Sequence, residues 1–213
     1  MTFETHPLQP FLPKNGRILF LGSFPPPKSR WSMEFFYPNW INDFWRIQGL
    51  IHYNDKAFFE TKGANSFDKD RIIEFAESLG LAFYDTARKV RRLKDNASDN
   101  FLEIVEPTDV GALLQVMPQC SMIVTTGGKA SEELQKQLSE AVGMPEGLLI
   151  EMPKIGDFIV IKKNKNVSSS NSSTTSIFTH QDTIQWWRMP SSSRAYPLAL
   201  PQKAEYYKRL FED

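Results

Sequence analysis

The chain has 213 residues, of which 41% are hydrophobic and 23% are charged, and its 25 basic and 25 acidic side chains give a formal net charge of zero. These proportions are typical of a globular protein, so they argue against disorder, a coiled coil and nucleic-acid binding through overall positive charge. No apolar run approaches the roughly 18 residues of a membrane span and the first residues lack the pattern of a signal peptide, so we expect one domain over residues 1–213 and a cytoplasmic location.

The first predicted element is a buried strand, and an unusual segment follows it. The apolar run RILFLGS (17–23) is short and contains a glycine near its end, which favours a strand of a parallel sheet over a helix. The segment GSFPPPKSRWSMEFFYPNWINDFW (22–45) combines three consecutive prolines with many aromatic residues and shows little periodicity, so we interpret it as a stiffened loop. We expect Phe44, Trp45 and Ile47 to belong to the core.

Helices and strands alternate along the rest of the chain. KDRIIEFAESL (69–79) has apolar residues at helical spacing before Gly80, which predicts a helix that ends at this glycine. The polar, serine-rich tract between Asn164 and Ser176 predicts a flexible loop within the same domain. The other predicted elements are helices over 129–142 and 200–213 and strands over LAFYDT (81–86), SMIVTT (121–126), FIVIKK (158–163) and TIQWWRMP (183–190).

This alternation predicts an α/β fold with a mainly parallel sheet that is covered by helices on both faces. Ligands of such sheets bind outside the carboxyl ends of the strands. We therefore expect the four segments that follow strands to form one pocket. These segments are GSFPPP (22–27), DTARK (85–89), TTGGKA (125–130) and PSSSRAYP (190–197).

Several chemistries are disfavoured by the residues present. The single cysteine, Cys120, excludes an internal disulfide and a cysteine-rich metal centre, and we expect it to be a buried apolar residue. TTGGKAS (125–131) lacks the first glycine of a phosphate-binding loop. A serine hydrolase is also disfavoured, because His6, His52 and His180 lie outside the predicted pocket loops and no G-x-S-x-G motif is present.

The predicted pocket instead offers aromatic rings, backbone amides, hydroxyl groups and an amide side chain. Aromatic rings stack on flat polar rings, and amide groups form hydrogen bonds with their edges. This composition favours recognition of a nucleobase.

Three motifs together resemble those of a known family. LFLGSFPP (19–26), FFYPNWINDFW (35–45) and MPSSSRAYP (189–197) are similar, in this order, to motifs of the uracil-DNA glycosylase superfamily, and most of all to those of its hypoxanthine (deoxyinosine) DNA glycosylase branch. The resemblance implies a three-layer α/β/α sandwich with a central, mainly parallel sheet. It also implies a monomer that flips a damaged base out of DNA and hydrolyses its N-glycosidic bond in base-excision repair, without a cofactor or a metal.

The resemblance assigns roles to residues near the first two motifs. Asn42 would hold the attacking water, with Asn39 as the alternative, and Phe36 or Tyr37 would stack on the base. Backbone groups would line the base at three consecutive residues, namely Gly22, Ser23 and Phe24.

Roles are also implied for residues of later segments. Asp85 is similar in place to a residue that reads the edge of the base or assists as a polar group, although its position also suits an N-cap for a helix formed by TARKVRR (86–92). The loop that would press on the DNA backbone consists of Ser191, Ser192, Ser193 and Arg194.

A basic segment, RKVRRLK (88–94), carries five positive charges within seven residues. Such a segment either contacts phosphates or forms a solvated face. The side chains that we predict to contact DNA are Arg88, Lys89, Arg91 and Arg92.

Two departures from the superfamily pattern keep other functions open. The first motif has no asparagine or aspartate where many members have their catalytic residue, and the late motif has no histidine. A non-catalytic module that binds a nucleobase or a nucleotide in the same pocket is therefore the alternative function, and a small-molecule hydrolase on the same scaffold is a third.

Overall fold

The structure is a computed structural model that describes residues 3–93, 101–164, 176–178 and 181–212. Residues 165–175, which make up most of the predicted serine-rich loop, lie outside the described residues, as do Lys94 and His180. In the described ranges, no helix has both the length and the apolar composition that crossing a membrane requires.

Strands of the described residues form two sheets. In chain order these strands are β1 (Phe3–Thr5), β2 (Ile18–Gly22), β3 (Leu81–Asp85), β4 (Ala87–Arg92), β5 (Leu102–Pro107), β6 (Met122–Thr126), β7 (Asp157–Lys162) and β8 (Thr183–Met189). The larger sheet has the order β3-β2-β6-β8-β7, in which the first four strands are parallel and β7 runs antiparallel to β8. The smaller sheet is antiparallel, with the order β1-β4-β5.

Helices flank the larger sheet. The α-helices of the described residues are α1 (Phe44–Tyr53), α2 (Lys69–Leu79), α3 (Val110–Gln115), α4 (Gly128–Ala141) and α5 (Leu200–Lys208). The architecture confirms the mixed α/β fold with a central, mainly parallel sheet that the sequence predicts.

Local sequence explains the elements that were predicted correctly. All residues of β2 are buried, as expected for a central strand that is covered on both faces. Helix α2 starts where the Asp68 side chain accepts a hydrogen bond from the N–H of Arg71, and it ends at Gly80 in the left-handed region with φ 65°. A side chain at Gly80 would also collide with the backbone carbonyl of Asn15.

Predictions about buried side chains are confirmed at two places. Phe44, Trp45 and Ile47 have no exposed surface. They belong to α1, which begins inside the segment that lacked periodicity. Cys120 is buried as well, and burial raises the pKa of its thiol to about 12, so the thiol stays protonated at neutral pH.

The segment after Asp85 is strand β4, so the alternative in which Asp85 caps a helix is wrong. β4 lies between β1 and β5 and pairs with both. Its apolar residues Ala87 and Val90 are buried against Phe24 and Leu102 in a small second cluster. Pairing on both edges and this burial override the helical tendency of the basic side chains.

We expect His52 in α1 to make the stability of the protein sensitive to mild acid. Its ring contacts Phe75 and Phe211 at centroid distances of 5.0 and 4.5 Å, and burial lowers its pKa because the charged ring loses hydration. The unfolded chain takes up this proton near pH 6.5, roughly the usual pKa of histidine, whereas the folded protein takes it up at lower pH. The neutral ring therefore makes its full contribution to the free energy of unfolding above about pH 6.5. This contribution is lost as the pH falls through the lowered pKa.

We expect a His52→Phe variant to lose less free energy of unfolding than the native protein when the pH is lowered from about 7.5 to about 5. Phenylalanine retains the contacts with the two rings and removes the titrating group. Urea denaturation at both pH values measures the difference. Equal losses in the two proteins would show that other ionisable groups cause the acid sensitivity.

Candidate active site

A cleft of about 1190 Å³ opens at the carboxyl ends of β2, β3, β6 and β8, and all four predicted pocket segments contribute to its lining. Asn39, the alternative water ligand, also lines it. The structure brings together in this cleft Gly22, Ser23, Phe24, Phe36, Tyr37, Asn42, Asp85, Ser191, Ser192, Ser193 and Arg194.

The loop after β2 lines the cleft and contains backbone N–H groups without an acceptor in the described part of the chain. The N–H groups of Ser23 and Phe24 have no acceptor among the described residues. The prolines that follow, Pro25 to Pro27, have no N–H and a fixed φ, and the Trp31 indole donates a hydrogen bond to the Pro26 carbonyl at 2.8 Å. The loop is therefore stiff, and its free donors have fixed positions.

The aromatic residues that line the cleft, Phe36 and Tyr37, pack against buried aromatic rings. The ring of Tyr37 stacks on Phe44 with a centroid distance of 3.8 Å and an interplanar angle of 5°, and its hydroxyl forms a hydrogen bond of 2.9 Å with the Thr126 hydroxyl. Burial raises the pKa of Tyr37, so the phenol is neutral at physiological pH. Phe36 is buried and stacks on Phe83. Because Phe44 covers one face of Tyr37, a base could stack only on the other face.

Asn42 has a fixed side-chain amide at the start of α1. Its Oδ1 accepts a hydrogen bond of 2.9 Å from the N–H of Phe44, and its own N–H donates to the carbonyl of Asn39. Its Nδ2 has no acceptor among the described residues. One lone pair of Oδ1 and the Nδ2 hydrogens are thus available to a ligand. Asn39 makes a similar but longer contact, from the Ile41 N–H at 3.1 Å.

Arg46 fixes the backbone that carries Asn42, a role that sequence reasoning missed. Its buried guanidinium donates to the carbonyls of Trp40 and Asn42 at 2.8 and 3.1 Å and forms an ion pair of 2.7 Å with Glu60. Burial lowers the pKa of Arg46, and the neighbouring Glu60 carboxylate opposes this effect. The guanidinium also lies over the Trp40 ring, with 4.3 Å between Cζ and the centroid.

The late serine loop is joined to the Asn42 segment by backbone hydrogen bonds. Asn42 and Ser193 form an isolated antiparallel bridge, and the N–H of Asp43 donates to the carbonyl of Ser192 at 3.0 Å. Within the loop, the Ser191 hydroxyl accepts a hydrogen bond from the N–H of Ser193. The positions of the candidate water ligand and of the candidate DNA-contacting loop are therefore coupled.

A charge cluster of Asp43, Arg194 and Lys203 reinforces this junction, and it too was missed; Asp43 and Lys203 are buried, whereas Arg194 is exposed. The two oxygens of Asp43 contact Arg194 Nε at 2.8 Å and Lys203 Nζ at 3.3 Å. Lys203 has no exposed surface and also donates to the carbonyl of Ser193 at 2.8 Å. The sequence contains one local sign of this burial: Lys203 is next to Ala204 and close to Tyr207 in the predicted amphipathic helix.

Asp85 lines the cleft, and its carboxylate contacts His6, a residue outside the pocket loops. Its Oδ2 lies 2.8 Å from Nε2 of His6, which is buried. Its backbone carbonyl accepts a hydrogen bond of 2.7 Å from the Thr108 hydroxyl. The sequence placed His6 away from the pocket, because a contact across 79 residues leaves no local pattern.

Of the basic residues predicted to contact DNA, Arg194 lines the cleft, whereas the four basic residues of β4 lie on the smaller sheet. Arg88, Arg91 and Arg92 form ion pairs with Glu106, Glu103 and Glu4, respectively. The amino group of Lys89 lies 4.9 Å from the ring centroid of Phe3. Glutamates therefore offset much of the positive charge, and a DNA-binding role for these side chains stays a prediction.

The metal-binding side-chain types do not converge in the described part of the chain. Groups of three or more His, Cys, Asp and Glu side chains that could hold a metal ion are absent there.

The fold and cleft define an α/β sandwich with an aromatic and amide-lined site at the ends of its parallel strands. This fold is shared with a solution NMR structure of a protein from Methanosarcina acetivorans, provisionally assigned as a uracil DNA glycosylase. The match has a TM-score of 0.59 and 18% identity and covers 99% of this chain and 100% of the other. At this identity the likeness shows the fold alone. No protein-family profile and no curated protein matches the chain.

Proposed function

We propose that the protein is a monomeric DNA glycosylase that removes deaminated bases, uracil or hypoxanthine, by hydrolysis of the N-glycosidic bond. The observation that carries the proposal is the convergence of Asn42, the Ser23 and Phe24 donors, the Tyr37 ring and Asp85 in one cleft. The full-length likeness to the fold of the Methanosarcina acetivorans structure supports it.

The polar groups of the cleft suit the edge of a deaminated base. Deamination of adenine or cytosine replaces an amino donor by a carbonyl acceptor and gives the adjacent ring nitrogen a hydrogen. The free N–H groups of Ser23 and Phe24 would donate to the carbonyl, and the Asp85 carboxylate would accept from the ring N–H. Guanine and thymine share this edge, so discrimination against them would depend partly on the cost of flipping a well-paired base.

The hydrolytic step needs a positioned water and a stabilised leaving base. Asn42 would orient the water through the free lone pair of Oδ1, because its other lone pair is held by the Phe44 N–H. As the glycosidic bond breaks, negative charge develops on the base, and the donors of Ser23 and Phe24 would stabilise it.

DNA would approach the mouth of the cleft. Arg194 and the serine loop line the cleft, as do Lys129 and Arg30. These cations would contact phosphates on either side of the flipped nucleotide, and the basic face of β4 would extend the contact.

We expect the protein to release the base from duplexes that contain uracil or hypoxanthine, and to release none from matched duplexes with undamaged adenine or cytosine at the same site. The test measures abasic-site formation on a panel of labelled oligonucleotides that also includes xanthine and a thymine mismatch. Tight binding of the damaged duplexes without base release would instead support the non-catalytic binding module. If the protein neither binds these duplexes nor releases a base from them, the proposed function is contradicted.

A further inference from the structure

His6 and Asp85 form a contact behind the wall of the cleft that the proposed chemistry does not yet use. Nε2 of His6 lies 2.8 Å from Oδ2 of Asp85, and the His6 side chain is 1% exposed. Asp85 lines the cleft, whereas His6 does not. The histidine is therefore out of reach of a ligand in the cleft and acts on one only through the carboxylate.

We propose that His6 is a positioning residue of this site: it holds Oδ2 of Asp85 so that Oδ1 stays in the cleft as a hydrogen-bond acceptor for the ring N–H of a base. The inference rests on the proposed function, which it deepens by naming what orients the group that reads the base.

The first support is that His6 donates to Asp85 in either protonation state. Nδ1 lies 3.2 Å from the N–H of Leu8 and 2.9 Å from the carbonyl oxygen of Leu8. An ionised carboxylate only accepts hydrogen bonds, so the neutral ring beside Oδ2 carries its hydrogen on Nε2, and its Nδ1 accepts from the Leu8 N–H. The charged ring donates to the Leu8 carbonyl and again carries a hydrogen on Nε2. Both states therefore present the same donor to Oδ2.

The second support is that packing fixes the plane of the imidazole. Its ring contacts Phe24, Phe36 and Tyr84 at centroid distances of 5.4, 6.3 and 4.6 Å. The backbone N–H of His6 also donates to the carbonyl of Arg88 at 2.8 Å. A ring held on several sides gives a directional hydrogen bond, so it orients the carboxylate as well as stabilising its charge.

The third support is the place of the second carboxylate oxygen. Oδ1 of Asp85 lies directly against Gly22, where any side chain would collide with it. The described residues provide no hydrogen-bond donor for Oδ1. A carboxylate with one oxygen bonded to a buried donor and the other free at the cleft wall can accept a hydrogen bond from a ligand.

The test is a double-mutant cycle on base release from a uracil or hypoxanthine duplex. We expect His6→Phe, which retains the ring packing, to lower kcat/KM by about 10- to 100-fold when Asp85 is present. In the Asp85→Ala background the same change should lower kcat/KM by less than about 3-fold, since no carboxylate remains to be oriented. His6→Gln, which keeps a donor at a similar reach, should recover part of the loss.

His52→Phe is the matched control, because it makes the same substitution at a histidine that packs on two phenylalanine rings outside the cleft. It should leave kcat/KM nearly unchanged. Equal fold losses for His6→Phe in the two backgrounds would overturn the inference, because they would show a general structural effect.

Imidazole ¹⁵N NMR separates failure of this inference from failure of the proposed function. If the native protein releases no base from any duplex, the proposed function fails. The contact is then judged by the His6 signals, which are assigned by their loss in His6→Phe. A shift of these signals in Asp85→Ala would support the pairing, and unchanged signals would overturn it.

Discussion

An Asn42→Ala variant is expected to lower kcat/KM for base release by about 100-fold or more, because it removes the amide that would position the water. The fold should persist. The substitution also removes the hydrogen bond from the Phe44 N–H to Oδ1, a helix-start interaction of about 1 kcal/mol. Single-turnover base release and urea denaturation of the same preparation measure the two effects.

Two further variants separate orientation of the water from support of the helix. Asn42→Asp retains an acceptor for the Phe44 N–H but loses the Nδ2 donor. Its free energy of unfolding should therefore match that of the native protein, whereas its rate of base release should differ. Asn39→Ala removes the similar contact with the Ile41 N–H and should have a much smaller effect on base release. If Asn39→Ala abolishes release and Asn42→Ala does not, the two asparagines exchange roles.

The parts of the fold that could be predicted have local causes. β2 is a continuous apolar run, and α2 has apolar spacing between an acidic cap and Gly80. Such patterns depend on neighbours within a few residues, so the sequence displays them directly. The order of these elements then placed the cleft at the ends of the parallel strands, and the predicted catalytic and base-binding residues line it.

The parts that could not be predicted depend on contacts between distant residues. The sequence of β4 shows only a cluster of basic residues, and this segment is a strand because it pairs with β1 and β5. His6 meets Asp85 across 79 residues, and Lys203 meets Asp43 across 160. Histidine and lysine are usually exposed, and although the apolar neighbours of Lys203 hinted at its burial, nothing near either residue in the sequence indicated a carboxylate partner.

The charge cluster at the junction leads to the second large prediction. Lys203→Met should lower the free energy of unfolding by about 3 kcal/mol, because it leaves the buried Asp43 with Arg194 as its remaining partner. The variant also frees the carbonyl of Ser193, which pairs with Asn42. We therefore expect slower base release at temperatures where the variant is still folded. Urea denaturation and single-turnover release measure these losses.

Lys208→Met supplies the control on the same helix. Lys208 is exposed and forms an i,i+4 ion pair with Glu212, so its loss should cost no more than about 0.5 kcal/mol. Adding Asp43→Asn to Lys203→Met should destabilise by less than the sum of the two single changes, because the carboxylate left without its lysine is then neutralised. Additive losses would show that Lys203 acts independently of Asp43, through its hydrogen bond to the Ser193 carbonyl. In that case slower release would follow from loss of this contact between α5 and the serine loop.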